Sequence, residues 1–143
     1  VYVTAGLAIA SELPSSLWLG AFLLLCYLIG LTYVAKQETL GEVRNLWPLL
    51  FLAAPLAYAI AGALDGPTAA ALAVVFALWV AVALWFLWRR RAGDVPRAVV
   101  SLIAGISLLD AVLIATTGAA AVAWLATLGF LLTLALQRVV PGT

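Results

Sequence analysis

Apolar runs long enough to cross a bilayer follow one another along this chain, separated by short polar or Gly/Pro-bearing breaks. A hydrocarbon core about 30 Å thick asks for about 20 apolar residues per helix. Five runs meet that length, at residues 17–35, 46–64, 69–88, 98–115 and 119–136. Residues 1–10 are apolar but too short to span, and read as the tail of a helix that begins upstream. The break at 11–16 contains Pro14, which suits the start of a new helix. Within the second run, Pro55 predicts a kink or an opened hydrogen-bond ladder. The third run carries Trp79, Trp85 and Trp88 and stops at Arg89-Arg90-Arg91, an aromatic belt followed by an interfacial basic cluster. Topology and contact with lipid head groups account for that cluster. Residues 92–97 read as a connection, and Thr116-Thr117-Gly118 as the exit of the fourth run.

The pattern predicts an all-α, polytopic transmembrane helix bundle of about five full spans plus a truncated N-terminal helix. Residues 1–143 are expected to form a single membrane domain, part of a larger bundle that begins upstream. Composition agrees. The 143 residues are 67% hydrophobic and 9% charged, with a mean hydropathy of +1.23. A soluble surface needs several times that charge. The formal net charge of +1 gives no field for nucleic acid. Cys26 is the single cysteine and there is no histidine, so a disulfide within the chain and Cys/His or Ser/His nucleophilic chemistry are excluded. Soft-ligand zinc, haem or iron-sulfur sites do not suit this composition either.

The position of charge carries more than its total. Lys36, Arg44, Arg89, Arg90, Arg91, Arg97 and Arg138 all fall after the first, third and fifth runs. The intervening turns, at Glu12, Asp65 and Thr117, contain no basic residue. By the positive-inside rule the 36–46 loop and the C-terminus face the cytoplasm, and a multi-pass protein of the bacterial inner membrane is expected. Glycines 20, 30, 105 and 129, with the alanine-rich faces of the third and fifth runs, are expected to let helices pack closely.

Charges of both signs crowd together at Lys36-Gln-Glu38-Thr-Leu-Gly-Glu42-Val-Arg44, where two carboxylates lie between two basic residues. Glu38 and Glu42, four apart, stack on one side if the helix continues through them. Such a pair can share a hard divalent cation, and Lys36 and Arg44 can grip phosphate oxygens. The same residues also suit an ordinary solvated connection between two membrane helices. Tyr27 and Tyr33 precede this stretch. Being six apart they differ by about 240° around a helix and cannot both face one cavity. Trp47, which follows, suits interfacial anchoring. Asp110 is an ionisable residue inside a span. It marks a polar site for substrate or proton transfer, or else is protonated or hydrogen-bonded to a Ser, Thr or Tyr on another helix.

A helix ending in carboxylates spaced four apart, with further spans after it, resembles the C-terminal half of the UbiA superfamily of intramembrane prenyltransferases. The Tyr33-Val-Ala-Lys36-Gln37-Glu38 run, with Leu109-Asp110-Ala111 later, is similar to the EboC-like branch. The resemblance implies transfer of a prenyl group from an isoprenoid diphosphate to a lipid-like acceptor at the cytoplasmic mouth of the bundle. It further implies Mg2+ held by Glu38 and Glu42, diphosphate contacts from Lys36 and Arg44, and Tyr33 beside the reacting carbon. In that family a first acidic motif lies upstream, so this portion would not catalyse by itself. Here glutamates stand where the family's second motif has aspartates, and the chain has one more span after that motif than the family pattern. The rival reading is a noncatalytic membrane subunit or a lipid or isoprenoid carrier.

Overall fold

The computed structural model describes residues 15–40 and 47–139, leaving aside the side chains of residues 37–40, 138 and 139. Five apolar stretches, each long enough to cross a membrane, make up this part of the chain, which is an all-α bundle. The helices are α1 (Ser15–Leu40), α2 (Ala53–Gly62), α3 (Pro67–Arg89), α4 (Asp94–Ala115) and α5 (Ala120–Val139). The second span is composite. A 3-10 helix over Trp47–Leu52 leads into α2, and a 3-10 turn over Ala63–Asp65 follows it.

The composite span explains what Pro55 does. It is the third residue of α2, which continues directly from the 3-10 helix, so the N–H that proline lacks falls at the junction of the two geometries. The irregularity predicted within this span is the change from 3-10 to α geometry just before Pro55. Pro67 and Pro96 likewise lie in the first turns of α3 and α4.

Helix α4 is the centre of the bundle and packs against α1, α3 and α5. Half of its most apolar stretch is buried, against a third or less in each other span. Outward-facing apolar residues such as Leu50, Leu64, Leu78, Trp88 and Leu125 cover the periphery, where the solvent is lipid.

Lipid competes as well as leucine for apolar surface, so close contact and hydrogen bonds must hold these helices together. Gly105 on α4 permits both. A Cβ there would run into the Tyr27 hydroxyl and touch Trp79. In its absence, Tyr27 from α1 donates to the Leu102 carbonyl at 2.8 Å, and the Trp79 indole from α3 donates to the Ser101 carbonyl at 2.6 Å. Two neighbouring helices thus bond to consecutive carbonyls of α4. Trp79 also meets Phe130 of α5 edge-on, with ring centroids 4.9 Å apart, and Tyr27 packs on Phe76.

Gly30 is the second close approach. A Cβ there would lie 2.6 Å from Cγ of Leu52, a side chain with no room to retreat because it is itself buried. Gly30→Ala is therefore expected to destabilise the bundle by about 1–3 kcal/mol. A Gly30→Ala, Leu52→Ala pair should cost less than the sum of the single changes, which reversible unfolding in detergent would measure. A Cβ at Gly20 would make only ordinary contact with Leu113, and one at Gly129 would meet nothing within 4 Å on the other described helices. The close packing expected of Gly129 is thus corrected: its position is open, because α5 turns it away from the other described helices.

Candidate functional site

Helix α1 continues through Leu40, so Glu38 is helical. Glu42 and Arg44 lie outside the described residues, as does the stacking of the two carboxylates. What is described at this end is a groove of about 460 Å³ between α1 and the following 3-10 helix. Leu25, Leu28, Ile29, Thr32, Tyr33 and Lys36 form one wall, and Trp47, Pro48 and Phe51 the other. The α1 positions are spaced by three, one, three, one and three residues, which is one face of a helix. The groove is accordingly apolar along its length and basic at its end.

Two of the residues singled out from sequence, Tyr33 and Lys36, are brought together here, with Trp47 across from them. Tyr27 is excluded, as its 240° offset requires: it is fully buried and spends its hydroxyl on α4. Position 38 follows Lys36 by two residues and lies about 200° around the helix from it. Positions 36 and 38 therefore lie on different sides of the same helix end. Among the described residues, no group of three or more His, Cys, Asp or Glu side chains is close enough to hold a metal.

Alternate spans run in opposite directions, so the turn between α3 and α4 lies at the same end of the bundle. Leu49 near the groove indeed lines a cavity with Trp88 and Arg90. This turn holds an ion pair that the sequence reading missed. Asp94, read as part of a connection, is the first residue of α4 and only 1% exposed. Arg89 donates to both of its carboxylate oxygens, Nε to Oδ2 and Nη2 to Oδ1, each at 2.8 Å. The Arg91 backbone N–H adds a bond to Oδ2 at 3.1 Å, and Arg97 Nη1 lies 3.9 Å from Oδ1. A paired, parallel Arg–carboxylate arrangement is among the stronger polar contacts available to side chains.

Arg89 also stacks on Trp85, with its Cζ 4.4 Å from the ring centroid. Arg90 and Gly93 take left-handed backbone conformations, φ 49° and 83°, which fold the turn tightly enough to bring Arg89 back onto Asp94. The reading of the arginine cluster as wholly lipid-directed is thereby corrected for Arg89. Arg90, Arg91 and Arg97 remain exposed. The available signal was an acidic residue directly after a glycine and two positions before Pro96, which favours a helix start over a loop. Because every carboxylate oxygen of Asp94 is engaged, the turn reads as a structural clamp.

At the opposite end, Asp110 lines a cleft between α1 and α4. It is exposed at that cleft, so the possible buried polar site at Asp110 is corrected to an open one. The alternative of a hydrogen bond to Ser, Thr or Tyr on another helix is not realised among the described residues. Of the hydroxyls around it, Tyr58 and Thr116 pair at 3.0 Å, and Thr117 donates to the Ile114 carbonyl.

Fold and site together define a polytopic α-helical integral membrane protein with a lipid-facing, basic-ended groove. No family model, curated protein or solved structure matches the chain.

Proposed function

We propose that this chain is the C-terminal portion of a UbiA-like prenyltransferase, which transfers a prenyl group from an isoprenoid diphosphate to a lipid-like acceptor. The observation that supports this reading best is the polarity of the groove. A prenyl diphosphate is a long apolar chain with a dense negative charge at one end. The groove from Leu25 to Lys36 has the matching form, with Tyr33 one turn inward of the lysine.

In this reading Lys36 meets the diphosphate as a point charge, and Arg44 adds paired hydrogen bonds. The face of Tyr33 stabilises positive charge developing on the allylic carbon as the C–O bond breaks. Apolar walls keep water from capturing that carbon. Glu38 and Glu42 are hard oxygen donors of the kind magnesium takes, alongside retained waters and substrate phosphate. When bound, magnesium supplies the neutralisation that makes diphosphate a good leaving group. The basic end of the bundle is assigned to the cytoplasm, with the upstream half of the protein contributing the other acidic motif.

A second reading is favoured by one observation. Position 38 lies on the side of α1 away from Lys36, as a noncatalytic isoprenoid carrier, which needs the groove but no metal, would tolerate. One experiment separates the two. With the full-length protein, magnesium-dependent release of diphosphate from a radiolabelled prenyl diphosphate is expected. Glu38→Gln or Glu42→Gln should lower it at least about 100-fold, as removal of a single charge-stabilising group does elsewhere. Binding of the prenyl diphosphate without any magnesium-dependent release would establish the carrier.

A further inference from the structure

The cleft around Asp110 lies at the other end of the bundle from the groove. Its walls follow from helix geometry. On α4, Asp110, Leu113 and Ile114 are offset by three and four residues and so share one face, with Thr117 following in the turn. On α1, Ser16, Leu17, Gly20, Ala21 and Leu24 face them, and the small side chains at 20 and 21 leave the space between the helices. The opening is about 380 Å³, within the range of small-molecule sites.

Asp110 lies five residues before the end of α4, about 7 Å inside it at the helical rise. Its carboxylate makes no hydrogen bond or ion pair with any described residue, and no Lys or Arg lines the cleft. A charged group at such a depth is costly unless a partner or water compensates it, and such residues characteristically face pathways or binding cavities. The rest of the lining is chiefly apolar, through Leu17, Leu24, Leu113 and Ile114. A ligand complementary to this surface carries one cation and a hydrocarbon body.

We propose that the cleft binds a lipid-like amphiphile with a protonated primary amine, its ammonium paired with Asp110 and its alkyl chain lying between α1 and α4. This site is independent of the prenyl groove, and its test does not depend on any transferase activity.

The test uses the full-length protein in an uncharged maltoside detergent, titrated calorimetrically with dodecylamine, dodecanol and dodecanoate. Dodecylamine is expected to bind at least about tenfold more tightly than the other two, reflecting one charge-assisted contact. In Asp110→Asn that preference should vanish. This variant loses no hydrogen bond seen in the structure and is expected to unfold at the wild-type temperature or above. Gly20→Leu, which fills the cleft, should weaken binding of the amine. Equal affinity for amine and alcohol in the wild-type protein would overturn the proposal, with no variant needed. Amine selectivity that survives in folded Asp110→Asn would overturn it as well.

Discussion

Replacing Gly105 with alanine is expected to destabilise the bundle by about 2 kcal/mol, the usual scale for an overpacked core position. The reason is specific. The added Cβ meets the hydroxyl of Tyr27, and that hydroxyl cannot move without giving up its bond to the Leu102 carbonyl. In a Tyr27→Phe background the obstacle is gone, and the nearest remaining atoms are Trp79 Cδ1 and the ring Cζ at residue 27, both at an ordinary 3.4 Å. Tyr27→Phe alone should cost about 1 kcal/mol for the lost interhelical hydrogen bond. The double variant should then be no less stable than Tyr27→Phe, because alanine also favours the helix relative to glycine by up to about 1 kcal/mol. Reversible unfolding of the four proteins in a mixed-detergent titration measures the coupling. Simple additivity would refute this account of the α1–α4 contact.

The clamp at the α3–α4 turn should yield the other large effect. Asp94→Ala removes the acceptor for three donors at once and leaves the Arg89 guanidinium half-enclosed with no carboxylate. Most of the protein is expected to leave the monodisperse peak in detergent gel filtration. Asp94→Asn keeps the size of the side chain but not the charge, and should be intermediate. Breaking one side of an ion pair is generally worse than removing both. Asp94→Ala combined with Arg89→Leu should therefore recover folded protein relative to Asp94→Ala alone. Arg90→Ala, at an exposed position, is the control expected to stay near wild type in the same assay.

These two sites differ in how far they could be read in advance. The five spans could be read because hydrocarbon thickness sets a minimum length of apolar sequence, whatever the helices later pack against. Gly105 was recognisable as a packing residue, but not as the point where Tyr27 and Trp79 converge. That pairing depends on which helices become neighbours. Asp94 was placed in a connection because its neighbours Gly93, Pro96 and Arg97 all resemble loop sequence. The partner that buries it arrives only when the turn closes. The 240° separation of Tyr27 and Tyr33 followed from helical period alone, and the structure assigns one to the core and the other to the groove.

For the candidate sites the division is similar. Sequence alone marked Lys36, Glu38, Glu42, Arg44 and Asp110 as charges with something to explain in an oily chain. Tertiary structure decided that Lys36 closes the end of an apolar groove with Tyr33, and that Asp110 opens into a cleft instead of being sealed in the core. The physical reason is one of scale. Crossing a membrane depends on properties summed along about 20 consecutive residues, which any one sequence displays directly. A groove or a clamp depends on a few atoms from separate helices meeting within about 3–4 Å, and only packing brings them there.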